Sequence, residues 1–315
     1  SKLSELERQD AASVFAPDPK VWYPFLEPVM TRLATRVRWW QLGNDLDTSF
    51  VDTANPVAKV REVKAELDRI GQNVSVGLAW PWNHEFPANG KQPAPWRFVA
   101  LSAEPVLTAQ ELAGYLQASK ELGASRWVVL QPLPAADYSP EVRATDLVFR
   151  MIAAKIHGAD AIFCPDPFDD DYGLMNRDGT PGELLFPWRT ASMALGGATY
   201  LGSLDLPNGS PNHVFARRDD AVMIVWSWRP TEETVQLGSQ VVQIDLWGHE
   251  MSPRVEGDQH VVEVTRVPTF LVGLDPGIAS WRMNCRFAQD KLPSVSAVPH
   301  ANSYSFRNTF DHGIV

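Results

Sequence analysis

Helix-period apolar stripes alternate with short apolar runs through the first two-thirds of the chain. Val21, Trp22, Phe25, Leu26, Val29, Met30 and Leu33 fall on one helical stripe. Pro24 and Pro28 interrupt it, and a continuous helix there should kink at Pro28. The run 37–42 then predicts a strand. Residues 56–70 predict the clearest helix. Asn55 is its N-cap, Pro56 suits the first turn, Val57, Val60, Val63, Leu67 and Ile70 make the stripe, and Gly71 ends it. Further strands are expected over 74–80, 97–102, 127–131 and 161–164. A capping box, Thr108 with Glu111, opens a helix to Leu122 with Gly123 as its stop. Ser139-Pro140 opens another through Ile156, ending at Gly158. A last one over 184–195 stops at Gly196-Gly197.

These elements make five strand-to-helix repeats, whose strand tips recur at roughly the 30-residue length of a βαβ unit. Short apolar strands of this kind suit a buried parallel sheet. An open doubly wound sheet and a (β/α)8 barrel both fit. No Gly-rich phosphate loop follows any strand, which weakens a nucleotide-binding reading. From residue 198 the pattern changes. Strand-like runs at 213–217, 221–228, 240–246, 260–265 and 269–273 are separated by turn signals such as Pro207-Asn208-Gly209 and Glu256-Gly257-Asp258. This predicts an antiparallel β-sandwich. The expected organisation is therefore a (β/α) barrel domain over 1–197, a β-sandwich over 198–288, and a linker over 289–315 that begins a further β module.

Composition narrows the class. The chain has 315 residues, enough for two domains, and a formal charge of −10. That balance argues against a nucleic-acid partner, which would want a basic face. No run is long and apolar enough for a membrane span. Cys164 and Cys285 show neither metal spacing nor a disulfide framework, so no metal site is expected. Twelve tryptophans are many for this length. Each is a core residue or an aromatic platform for a sugar ring.

Candidate chemistry gathers at the strand tips. Residues 37–45 end in Gly43-Asn44-Asp45, an amide beside a carboxylate. The amide of Asn44 can hold a hydroxyl and Asp45 can move a proton. Asp47 is the loop residue of this segment. Trp80, Trp82 and His84 follow the next strand and could line a sugar subsite or form a packed Trp-Pro-Trp loop. Glu104 follows the third strand as a possible second carboxylate, and Gln131 ends the fourth. Asp166, Asp169, Asp170 and Asp171 make an acidic loop whose spacing does not match an EF-hand, so a solvated loop is expected there.

The order of these elements resembles the fourth-strand region of clan A glycoside hydrolases, especially β-xylosidase-like members. The stretch Trp39-Trp40-Gln41-Leu42-Gly43-Asn44-Asp45 carries the likeness, together with 224–228 (Ile-Val-Trp-Ser-Trp) and 244–248 (Ile-Asp-Leu-Trp-Gly) in the sandwich. It covers about residues 20–275. It implies a TIM-type barrel that enters at strand 4 and lacks strands 1 to 3, with a missing N-terminal barrel segment or a further C-terminal domain as partner. It also implies a carbohydrate substrate or ligand, no cofactor, and a secreted or periplasmic location. On this alignment Asp45 takes the place of the family's acid/base Glu, one methylene short. A displacement of about 1 Å can lower a rate ~10²-fold. Gln131 takes the place of the nucleophilic Glu, and an amide cannot form a glycosyl ester. Two functions follow as expectations: hydrolysis of glycosidic bonds by strand-end carboxylates (Asp45, Glu104), or a catalytically inactive carbohydrate-binding or structural module on the same scaffold.

Overall fold

A computed structural model describes residues 10–71, 73–87, 93–102, 106–119, 123–289 and 301–308. The chain divides into two compact units. One comprises residues 1–138 and 149–182, the other 139–148 and 183–315.

The first unit is built on five parallel strands in sequential order: β1 (Trp39–Leu42), β2 (Ser75–Pro81), β3 (Phe98–Ser102), β4 (Ser125–Val129) and β5 (Ala161–Phe163). Helices α1 (Ala11–Phe15) and α2 (Pro19–Leu33) precede β1. Helices α3 (Pro56–Leu67), α4 (Ala109–Ala118) and α5 (Pro140–Ile156) lie between successive strands, and α5 runs across the boundary between the two units. The arrangement is a five-stranded portion of a (β/α) barrel sheet.

Local chemistry explains the elements. Asn55 caps α3 through its side chain, which accepts from the Ala58 N–H at 3.0 Å. Thr108 and Glu111 form the reciprocal capping box of α4. The backbone N–H of Thr108, which contributes most, and its hydroxyl hold the Glu111 carboxyl below its usual range. Helix α2 runs through both Pro24 and Pro28. Each proline removes one i→i−4 bond, and most of the helix is exposed to solvent.

One face of the sheet carries an aromatic layer. Register sets Gln41 beside Gly77, Gly77 beside Phe98, and Ala100 beside Trp127. Phe98 and Trp127 stack at 3.7 Å, Trp39 lies 5.5 and 5.4 Å from them, and Phe163 lies 4.9 Å from Trp127. Gly77 is required by this layer, because a Cβ there would fall 2.3 Å from the Phe98 ring. Above it, Ala79, Ala100 and Val129 pack with Leu46.

The second unit begins with α6 (Leu185–Leu195) and is mostly antiparallel. A six-stranded sheet runs in the order β11-β10-β14-β8-β7-β6, from β6 (Thr199–Gly202), β7 (Asn212–Ala216), β8 (Ala221–Val225), β10 (Val242–Ile244), β11 (Glu250–Met251) and β14 (Thr269–Leu274). A three-stranded sheet pairs β12 (Arg254–Glu256), β13 (Gln259–Val264) and β9 (Thr231–Val235) in the order β12-β13-β9. Val214, Met223, Val225, Val235, Val262, Val264 and Leu271 share one core between them. Helix α7 (Pro276–Met283) follows, and β15 (Arg286–Phe287) pairs antiparallel with β16 (Tyr304–Ser305). Strand β9 was hidden by its Thr-Glu-Glu-Thr composition. Glu233 is nonetheless fully buried, because its carboxylate accepts from the Asn208 and Ser210 amides at 3.1 and 3.0 Å.

Candidate functional site at the strand tips

Strand β1 ends at Leu42, and the chain turns sharply at Gly43, whose φ is +90°. A side chain there would be strained, and its Cβ would lie 2.9 Å from that of Asp47. The turn sorts three polar residues into three roles. Asn44 is exposed, and its Oδ1 accepts from the Leu46 N–H at 2.9 Å. Asp47 is tied into the scaffold, accepting from the Ala11 N–H at 2.7 Å and from the Ser49 hydroxyl at 2.6 Å. Asp45 is half-buried, and its Oδ1 accepts from Gln41 Nε2 at 3.0 Å. Gln41 is two residues along β1 from Trp39, so the amide that steadies Asp45 belongs to the aromatic face of the sheet.

Gln131 follows β4 and is half-buried, with Oε1 enclosed and without a hydrogen-bond partner among the described residues. Its carbonyl accepts from Arg150 Nη1 at 2.8 Å. Arg150 comes from α5 and is only 2% exposed, the largest fully buried side chain of the protein's described residues. Beyond β5, burial pushes the Cys164 thiol up to about 12. The Arg150 charge opposes that shift, while the Asp166 and Asp45 charges add to it. Asp45 from the loop after β1, Arg150 from the middle of α5 and Asp166 from the loop after β5 therefore all bear on one thiol. Asp166 itself has a left-handed backbone, φ +33°. A residue other than Gly in this region is uncommon.

The structure brings Asp45, Gln131, Arg150, Cys164 and Asp166 to the same end of the sheet. Trp82 also lies there, 5.7 Å from the Tyr115 ring. It shares with Gln131 and Arg150 a crevice of only about 10 Å³, room for about one water. Trp80 is 4% exposed and packs edge-on to Phe86 at 5.2 Å, its Nε1 donating to the His84 carbonyl at 3.2 Å. Its ring offers no open face. His84 is exposed, with Nδ1 3.1 Å from the Asn83 amide oxygen. Glu104 lies outside the described residues.

The acidic loop is occupied with its own geometry. Asp169 accepts from the Asp171 and Tyr172 amides, both at 2.9 Å, and these hold its carboxyl below the usual range. Asp170 pairs with Arg177 at 2.6 Å and Asp171 accepts from the Ala136 N–H at 3.0 Å. Among the described residues, no group of three or more His, Cys, Asp or Glu side chains is placed to hold a metal ion. No described helix is long and apolar enough to cross a membrane.

The sequence expectations omit Arg150 and read Asp166 only as part of a solvated acidic loop. Arg150 carried a signal, since it falls on the apolar side of 140–156 beside Leu147, Met151 and Ala154, all buried. A charged residue on a buried helix face marks a polar site beneath.

No family model matches the sequence, and no curated protein matches it. Solved structures do match its fold. A family 39 glycoside hydrolase from Bacteroides cellulosilyticus WH2 aligns with TM-score 0.54 at 14% identity, over 78% of this chain and 60% of that one. A family 30 endoxylanase from Clostridium papyrosolvens C71 gives TM-score 0.53 at 10% identity, over 80% and 71%. A glucosidase from Croceicoccus marinus gives 0.50 at 13%, over 78% and 73%. The chain spans 60% of the length of the family 39 structure. Its parallel sheet and antiparallel sheets thus share the fold of part of these glycoside hydrolases.

Proposed function

We propose that this chain is the strand 4 to 8 portion and side sandwich of a carbohydrate-active protein of the glycoside hydrolase kind. Its saccharide site lies at the C-terminal ends of β1 to β5. The observation that carries this reading is the convergence there of Asp45, held by Gln41, with Gln131, Arg150 and Asp166. Strand ends at this face of a (β/α) barrel sheet collect reacting groups from several strands. In this reading Asp45 is the acid/base, Asn44 binds a sugar hydroxyl, and Trp82 and His84 border the ligand. Trp80 supports the wall from behind. The partner carboxylate is Glu104 or Asp166. Glycoside hydrolysis needs two carboxyl groups, about 5 Å apart for retention or about 6.5–9.5 Å for inversion.

The amide of Gln131 favours a second reading, a binding module without turnover. It can hydrogen-bond a sugar, but it cannot become a glycosyl ester. The enclosed, unbonded Oε1 fits a group that waits for a donor hydroxyl.

The test is a hydrolysis panel of aryl glycosides and polysaccharides, with calorimetry on the same sugars. Hydrolysis should fall by roughly 10²–10⁴-fold in Asp45→Asn. Turnover unchanged by that substitution removes Asp45 from the chemistry. Binding without turnover selects the second reading, and neither binding nor turnover by the 315-residue chain contradicts both.

A further inference from the structure

The second unit holds a cleft that the strand-tip site does not use. Its volume is about 540 Å³, and all its lining residues fall between Glu232 and Thr269. Ligand pockets typically occupy about 300–1,000 Å³. The walls come from the two sheets of the sandwich: β10 and the turn after it on one side, β9, β12 and β13 on the other.

The turn holds the Trp247 backbone in place at the cleft wall. Asp245 Oδ1 accepts from the Trp247 and His249 amides at 2.8 and 2.9 Å, and Oδ2 pairs with His249 Nδ1 at 2.8 Å. The next residue, Gly248, has a φ of +89°, which closes the hairpin between β10 and β11. Trp247 is thus fixed in the cleft wall while still partly exposed. A polar group on the same wall is also held in place. Gln243 is 7% exposed, and its Nε2 donates to the Glu263 carbonyl at 2.9 Å. That bond fixes the amide plane and leaves Oε1 to accept from a ligand.

The charges decide the ligand class. Glu232, Asp245 and Glu263 line the cleft with Arg254. Asp245 is committed to the turn, and Glu232 pairs with Arg254 at 3.4 Å. Three carboxylates against one guanidinium leave the cleft acidic, which disfavours an anionic ligand, and carboxylate oxygens accept readily from sugar hydroxyls. What remains is a flat aromatic wall facing acceptors that want donor hydroxyls. Resting on the carbohydrate reading above, we propose that this cleft is a second saccharide site, which binds a neutral glycan chain with one sugar ring against Trp247. It would hold glycan on the second unit.

Affinity electrophoresis of the full chain in gels containing xylan, mixed-linkage β-glucan or starch tests this. At least one polysaccharide should retard the protein. Trp247→Ala should weaken that retardation about tenfold or more, as loss of an aromatic anchor does. Trp247→Phe should retain most of it, and Glu263→Ala, an exposed position, should weaken it by a smaller factor. Melting curves establish that each variant is folded, and the Phe variant and Glu263→Ala carry the test if Trp247→Ala unfolds. No retardation by any of the three glycans, or retardation indifferent to position 247 and 263, would overturn the proposal. So would binding of spermine at this cleft in place of glycan. Because hydrolysis is read separately with Asp45→Asn, failure of this site and failure of the strand-tip reading give different results.

Discussion

The two sheets systems treat their aromatic and aliphatic side chains differently. In the sandwich, every residue of β8 is fully buried, and the core it shares with β9, β13 and β14 is covered from both sides. In the parallel sheet, the aromatic layer is covered in its middle and open at its ends. Phe98 is fully buried, whereas Trp39 on β1 is 44% exposed and Phe163 on β5 is 38% exposed. These two strands are also the sheet's edges among the described residues. The sandwich completes its own core; the parallel sheet buries its central strands and leaves an apolar surface at each margin. Unpaired strand edges of this kind are natural places for further pairing.

The comparison predicts unequal responses to truncation. Met223→Ala, in the centre of β8, should lower the stability of the sandwich by about 2–5 kcal/mol, read as a fall in its melting temperature. An effect below about 1 kcal/mol would mean that this core is loosely packed. A smaller effect is expected at Asp220, which accepts from Arg217 Nε at 2.6 Å and from the Gly273 N–H at 3.1 Å, where β14 bulges against β8. The Arg217 side chain, first, and the Gly273 amide hold the Asp220 carboxyl below its ordinary value. A depressed folded-state value means that its stabilisation is present above the ordinary value of 3.8 and is lost as pH falls through the depressed one. Asp220→Asn should therefore destabilise by about 1–2 kcal/mol at neutral pH, with the gap to the native protein closing in acid. A gap independent of pH would show that the carboxylate charge is not what matters. The smallest effect belongs to the margin of the parallel sheet. Trp39→Ala should change stability by only about 1 kcal/mol, the scale of an aromatic pair. A loss comparable to Met223→Ala would show that Trp39 is a core residue in solution.

Much of this arrangement was legible in the sequence because alternating periods report burial directly. The helix over 56–70 has its cap at Asn55 and its stripe at Val60, Val63 and Leu67, and the strands sit within about two residues of their expected places. What escaped depended on distant partners. Glu233 looked like a solvent position until the 208–210 loop supplied two amides. Asp47 serves a helix 36 residues earlier in the chain. Trp80 and Trp82 are two residues apart and alike in sequence, yet one is enclosed by Phe86 and the other borders a crevice. At the site, Asp45 and Gln131 were visible as strand tips, but Arg150 and Asp166 lie 19 and 35 residues beyond Gln131, and only the fold joins them.

The central claim places a saccharide at the ends of β1 to β5, and hydrogen–deuterium exchange with and without a xylo-oligosaccharide and malto-oligosaccharide mixture tests it most directly. The account predicts slowed exchange in the segments that contain Gly43–Asp45 and Gln131 when sugar is present. Sugar-dependent protection confined to other segments, or none at saturating oligosaccharide, would contradict it.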